Sequence, residues 1–241
     1  VEAGLRTYDI HSPFPEEFNR QLTTQITQFH FAPTERARQN LLNEKVLDEQ
    51  ITVTGNTVID ALFSQIEKAR GMNYSTDILD QLPFLTGQQK NRPRIILVTG
   101  HRRENFGKGF EEICLALHDI ANKHANIRII FPVHLNPNVR EPVNRILSNV
   151  INVHLVEPMD YLSFIKLMDN SYLILTDSGG IQEEAPSLGI PVLVMRDTTE
   201  RPEAVEYGMV KLVGADKQKI IEATNQLLND EVTYKKMAKA H

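Results

Sequence analysis

From residue 94 onward the apolar positions come in short, near-continuous runs separated by stretches with helical spacing. The runs are RIILVTG (94–100), IRIIFPV (127–133), NVHLVEP (152–158), YLILTD (172–177), PVLVM (191–195) and VKLVG (210–214). Between them, helical patterns cover roughly 107–124, 139–148, 159–169, 179–188 and 216–229. A strand that alternates apolar and polar residues is covered on one face, whereas one that is apolar throughout is covered on both. Six such runs divided by helix-length segments predict a parallel sheet between two layers of helices, a doubly wound α/β domain.

The first sixty residues form a different piece. VEAG reads as the end of a strand, followed by a loop carrying SPFP and a helix over about 16–28. FHFAP and ITVTGN read as two further short strands with a helix from Thr34 between them. A helix over 56–70 then leads into a polar, irregular stretch that ends at Arg92-Pro93. This resembles the last βαβ part of an α/β domain whose opening strands are absent, so residues 1–58 are expected to close one domain and 59–241 to form the next. The chain opens on Val1, in the middle of that strand-to-loop junction. It reads as a fragment, with on the order of a hundred residues expected upstream from ordinary domain size.

Composition narrows the class of function. With 41% hydrophobic and 24% charged residues, the chain is an ordinary globular one rather than a disordered one. A formal net charge of −5 argues against a broad nucleic-acid footprint and still allows a local basic pocket for phosphates. No apolar run approaches the ~20 residues a membrane-crossing helix needs. The single cysteine, Cys114, lies in the apolar helical run ICLALHDI, which suits core packing in a reducing, cytoplasmic compartment better than nucleophilic work.

The candidate chemistry gathers where strands end, the edge at which open parallel sheets bind ligands. His101 and Arg102 follow the first run of the second domain, His134 the second, and Ser178-Gly179-Gly180 the fourth. Glycine amides at a helix start form an anion site, because unpaired N–H groups and the helix dipole point the same way. A tight turn uses the same residues, so the motif alone does not decide. Glu184, one turn into that helix, suits sugar hydroxyls, while Glu183 is expected to face solvent. Arg196 and Arg201 add guanidinium groups beyond the next strand, and the set suggests a nucleotide-sugar. His101 can contact a phosphate or move a proton, and His134 can equally be structural. Glu2, at the carboxyl end of a strand, is a candidate for acid–base work. Glu16 and Glu17 also fit the ordinary preference for acids in a first helical turn. The remaining histidines, His11, His30, His118, His124, His154 and His241, show no metal-ligand spacing, and no metal site is expected.

Taken together, the motifs resemble the non-hydrolysing UDP-N-acetylglucosamine 2-epimerases of bacteria. The likeness runs through VEAGLRT (1–7), SPFPEEFNR (12–20), TGNTVIDAL (54–62), GHRRENFGKGFEEI (100–113) and PVHLNPNVREPV (132–143), then the long TDSGGIQEEAPSLGIPVLVMRDTTERPEA segment. The resemblance implies two Rossmann-like domains of the GT-B type facing a cleft, the first only partly present here. It also implies reversible conversion of UDP-GlcNAc to UDP-ManNAc by anti elimination of UDP and re-addition, by a homodimer, without cofactor, supplying ManNAc units for cell-surface polysaccharide.

Carried over by position, Ser178, Gly179 and Gly180 would hold the diphosphate, Glu184 the ribose and Arg201 the phosphates, with His101 near the reacting bond. Phe164 and the loop at Met159 would flank the uracil. Glu2 and Glu16 match the carboxylates of proton transfer, with the face each serves left open. Glu16, Arg102 and His134 also match a site for a second UDP-GlcNAc that acts as activator, so Glu16 has two assignments. Family features absent from this sequence are the opening strand, a GTRPE-type loop, an aspartate before VEAG and a closing C-terminal segment. A hydrolysing epimerase, a glycosyltransferase on the same scaffold, and a fragment that only binds UDP are the competing readings.

Overall fold

Glu2 makes an isolated parallel bridge to His30, and that bridge starts the smaller of two units. The computed structural model describes residues 1–86 and 93–239. The chain folds into one unit of Val1–Ala61 with Thr198–Pro202, and a second of Leu62–Asp197 with the chain from Glu203 on. In the first, α1 (Glu16–Thr24) follows a loop with cis bonds at Ser12-Pro13 and Phe14-Pro15. It stops short of the expected end because Gln25, Ile26 and Thr27 donate to carbonyls three residues back, which tightens the last turn and releases the chain. β1 (His30–Ala32) then pairs in parallel with β2 (Ile51–Val53) across α2 (Glu35–Asn43). Thr34 caps α2 by accepting from Ala37 N at 3.1 Å, and Ala37 and Leu41 pack on Ala32 and Ile51. Gly4 lies under this helix with φ +75, where a Cβ would stand 2.3 Å from the Ala37 carbonyl oxygen. No residue but glycine fits there. α3 (Thr57–Gly71) begins in this unit and ends in the second.

The stretch after α3 is not irregular as expected. It folds as α4 (Thr76–Gln81) and a 3-10 turn over Pro83–Thr86, because Tyr74, Leu82 and Leu85 find a buried face. The remainder of that expected stretch, residues 87–92, lies outside the described residues. Next in order come β3 (Arg94–Thr99), α5 (Lys108–Lys123), β4 (Ile127–Pro132), α6 (Pro137–Leu147), β5 (Val153–Val156) and α7 (Tyr161–Asp169). They are followed by β6 (Leu173–Thr176), α8 (Ile181–Ser187), β7 (Val192–Val194), α9 (Pro202–Glu206), β8 (Val210–Leu212), α10 (Lys217–Asn229) and α11 (Glu231–Ala238).

The six strands form one parallel sheet in the order β5-β4-β3-β6-β7-β8. Successive residues of β3 face opposite ways. Ile96 and Val98 join a core with α5, α6 and α10, and Ile95 and Leu97 join one with α3, α7 and α8. Cys114 lies in the first core, where burial pushes its thiol up to about 12. α11 is a further helix that the apolar pattern left out, and it docks through Tyr234, whose ring stacks on Tyr172 at 4.1 Å. No helix among the described residues is long and apolar enough to cross a membrane.

Candidate functional site

The chain builds the sheet outward from β3 to β5, then returns to β6 and builds the other way. Ligands of doubly wound sheets enter at this reversal, beyond the carboxyl ends of the two strands that flank it. Here those strands are β3 and β6, whose last residues are paired through the Thr99 and Thr176 hydroxyls, 2.6 Å apart.

Asp177, the residue after β6, is fully buried and organises the loop after β3. Its Oδ2 accepts from the amides of His101 (2.9 Å) and Arg102 (2.8 Å) and from Asn105 Nδ2 (3.4 Å). Asn105 also donates to the Met195 carbonyl at 3.1 Å, and Arg196 Nε donates to Glu104 Oε1 at 2.8 Å. Residues 101–105 are thereby suspended from the ends of β6 and β7. This assigns Arg196 a different task from the phosphate contact expected of it. Its side chain is buried and turned inward onto Glu104.

The two rim histidines stack on each other, ring centres 5.4 Å apart and 18° from parallel. His101 Nδ1 stands 3.6 Å from Asp177 Oδ1. Burial holds the His101 ring below its ordinary value, with Arg102 and His134 adding to the shift and Asp177 opposing it. On the far side of β6, Ser178 N donates to Thr176 Oγ1 at 2.9 Å, so that amide is already used. Gly179 is buried, and Gly180 already has helical angles where α8 begins.

Glu184 is buried one turn into α8 and accepts from the Tyr161 hydroxyl at 3.2 Å. Burial raises its carboxyl above the usual range, the Tyr161 bond works against that, and Glu183 adds to it. Met159 and Phe164 pack, half-buried, against the core beside α7. The second unit thus carries His101, Arg102, His134, Met159, Phe164, Ser178, Gly179, Gly180 and Glu184 at the carboxyl side of its one sheet.

The other three candidates, Glu2, Glu16 and Arg201, belong to the first unit. Glu2 is buried and its carboxylate is fully engaged. Oε2 accepts from Gly4 N (2.8 Å), Arg6 Nη2 (3.2 Å) and Thr24 Oγ1 (3.3 Å), and Oε1 from Arg6 Nη1 (3.3 Å). Arg6 reaches on to Glu44, at 2.6 Å through Nε. Glu16 is half-buried in the first turn of α1, while its neighbour Glu17 is the fully buried one. Glu17 accepts from the amides of Thr7 (2.9 Å) and Tyr8 (3.1 Å), so it holds the loop before the helix. Arg201 pairs with buried Glu200 at 3.2 Å, and Glu200 also meets Arg20 at 3.4 Å.

Sequence reasoning named neither Asp177 nor Tyr161 as a site residue, nor Asn105 or Arg6 as supports. Asp177 and Asn105 had a signal, since each lies in the polar stretch that follows an apolar run; Tyr161 and Arg6 had none. Two hollows lie elsewhere on the second unit. One of ≈ 600 Å³ is lined by Lys108, Asp119 and Lys217, and another of ≈ 420 Å³ by His118, Arg128 and Asn152. In the first, Lys217 and Asp119 pair with each other at 2.7 Å.

A reversed parallel sheet with a histidine loop and a glycine-opened helix at its switch point makes this a Rossmann-like α/β protein. Comparison with known proteins makes that class specific. The chain belongs to the UDP-N-acetylglucosamine 2-epimerase family, whose model matches residues 1–241. It is 60% identical to the UDP-N-acetylglucosamine 2-epimerase of Escherichia coli K12, covering 100% of this chain and 63% of that protein. Among solved structures it is similar to UDP-GlcNAc 2-epimerase from Neisseria meningitidis bound to UDP-GlcNAc, at 53% identity and a TM-score of 0.90 over 99% of this chain and 63% of that one. It is also similar to the Methanocaldococcus jannaschii UDP-GlcNAc 2-epimerase in complex with UDP-GlcNAc and UDP, at 37% identity and a TM-score of 0.79 over 96% of this chain and 62% of that one. The chain therefore spans less than two thirds of the length of these relatives.

Proposed function

We propose that this chain is the greater part of a non-hydrolysing UDP-GlcNAc 2-epimerase, converting UDP-GlcNAc to UDP-ManNAc and back. The observation that carries the reading is the match, over nearly the whole chain, to a Neisseria structure that holds UDP-GlcNAc. Inversion at sugar carbon 2 needs its hydrogen to leave, although that carbon lies beside an acetal rather than a carbonyl. Anti elimination solves this: the C1–O bond breaks with its electrons going to UDP, the carbon-2 proton goes to a carboxylate, and a C1=C2 bond forms in 2-acetamidoglucal. Reprotonation on the other face and re-addition of UDP complete the cycle.

The largest demand is charge stabilisation on the leaving diphosphate. We assign it to the turn Ser178-Gly179-Gly180, to His101 and to Arg201. Because the Ser178 amide already serves Thr176, the turn's contribution falls to the Ser178 hydroxyl and the two glycine amides. Glu184 takes the ribose, with Tyr161 fixing its carboxylate. Met159 and Phe164 flank the uracil. Glu2 and Glu16 are the carboxylates for proton transfer, and Glu16, Arg102 and His134 also suit a second UDP-GlcNAc acting as activator. A cytoplasmic homodimer feeding cell-surface polysaccharide completes this reading, and no redox cofactor enters the chemistry. The domain division assigned to it is residues 1–58 and 59–241.

Incubation with UDP-GlcNAc in deuterated water tests the reaction. UDP-ManNAc deuterated at carbon 2 is expected, and free ManNAc or an undeuterated product would overturn it. The chain's 63% share of its relatives' length favours a second reading, binding of UDP without turnover. Calorimetry with UDP addresses that one: binding without carbon-2 exchange supports it.

Glu184→Gln has two expected effects of opposite sign. Loss of a charged hydrogen bond to ribose weakens UDP binding by roughly 1.5–3 kcal/mol, on the order of tenfold to a hundredfold. Stability moves the other way. A carboxyl whose folded-state value is raised stabilises the fold at low pH and loses that contribution as pH rises through the folded value. The variant therefore melts higher than the parent chain at neutral pH, and the difference vanishes below about pH 4. Thermal melts at the two pH values check this; a lower neutral-pH melting point would contradict it.

A further inference from the structure

Asp177 carries more than the loop anchor requires. Its Oδ2 takes the two backbone amides and Asn105, whereas Oδ1, equally buried, has no hydrogen-bond partner. A buried carboxylate oxygen without a donor is costly. The group facing it is His101 Nδ1 at 3.6 Å, just beyond hydrogen-bond length. The His101 side chain is 43% exposed and Asp177 is not exposed at all. With Nδ1 on the Asp177 side, Nε2 lies on the opposite, outward edge of the ring.

His134 limits where a proton can go. Its Nδ1 accepts from the Asn136 amide at 3.1 Å, which places its own hydrogen on Nε2. A proton added to that Nδ1 would break the Asn136 bond. On His101, by contrast, an Nδ1 hydrogen meets Asp177. Stacked 5.4 Å apart, the two rings do not readily hold two positive charges.

We propose that Asp177 is a positioning residue for His101: its second oxygen keeps the imidazole hydrogen on Nδ1 and presents Nε2 to the rim. Building on the reading above that this rim receives the diphosphate of UDP, Nε2 takes one proton from solvent as the anion binds and returns it when UDP leaves. The charged groups facing the ring are Asp177 from the end of β6, Arg102 beside it and His134 beyond β4. Because binding takes up a proton, UDP affinity is highest at low pH and falls as pH rises through the value His101 has in the complex.

Two variants separate positioning from loop anchoring. Asp177→Asn keeps an oxygen for the His101 and Arg102 amides and turns an N–H donor toward His101 Nδ1. Asn105→Ala loosens the loop and leaves the carboxylate facing the ring. Imidazole ¹⁵N NMR of the unliganded chain should show the His101 hydrogen on Nδ1, moved to Nε2 in Asp177→Asn and unmoved in Asn105→Ala. Calorimetry of UDP in buffers of different ionisation heat should show about one proton taken up by the parent chain. Asp177→Asn should lose that uptake and bind UDP roughly tenfold more weakly, the equivalent of one pKa unit. A parent His101 with its hydrogen on Nε2, or an Asp177→Asn spectrum that does not change, would overturn the positioning role. Failure of UDP to bind any of the three chains, with the NMR pattern as expected, would instead count against the proposed function.

Discussion

Arg6→Met is expected to destabilise the first unit by about 3–5 kcal/mol, the usual consequence of leaving a buried charge without its partner. Arg6 is 4% exposed and donates to Glu2, Glu44, Thr24 and the Leu5 carbonyl. Burial works against its charge and the two carboxylates more than restore it, holding the guanidinium above its ordinary range. Methionine fills similar space but leaves Glu2 with only the Gly4 amide and the Thr24 hydroxyl. Amide hydrogen exchange of α1 and α2 measures the effect on this unit separately from the larger one. Arg38→Met, which breaks the exposed contacts to Glu35 and Asp48, is the control expected to change little. Equal protection in both variants would mean that the buried cluster contributes no more than the exposed one.

The second large effect concerns Glu2 itself. If Glu2 moves the carbon-2 proton, Glu2→Gln should slow carbon-2 deuterium exchange by about 10²–10⁴-fold, the usual range for a general acid or base. UDP affinity should stay where it is. The amide keeps an acceptor for Gly4 and Thr24, and Arg6 keeps Glu44, so stability falls less than in Arg6→Met. A carboxylate with every oxygen engaged is also a structural anion, and the rate decides between the roles. Exchange that falls only in proportion to the folded fraction would make Glu2 a scaffold for Arg6, and Glu16 would then be the remaining carboxylate for the proton.

The inner strands of the larger sheet were readable because burial on both faces leaves little room for polar residues, as in Leu173–Thr176, where every position is buried. α4 was not, since its six residues hold only two apolar ones, Ile78 and Leu79, both partly buried, and so short a helix shows no periodicity. Which of Glu16 and Glu17 turns inward depends on how the loop ending at Pro15 sets the rotation of α1, and periodicity carries no information on that. Gly179 and Gly180 announced a phosphate-type turn, yet within each unit the pairings around the candidate residues span long sequence separations. Asn105 meets Asp177 and Met195, Glu200 meets Arg20, and Thr198–Pro202 folds with the first unit instead of with the strand it follows. Pairings of this kind are set by tertiary packing, and no local pattern encodes them.

Cys114, sealed in α5 with its thiol pushed up to about 12, leaves the protein without a reactive sulfur near neutral pH. For spectroscopy that is a blank background. A single cysteine introduced at a site such as Ile151, which is 94% exposed, should take a maleimide dye alone, with no native residue to remove first.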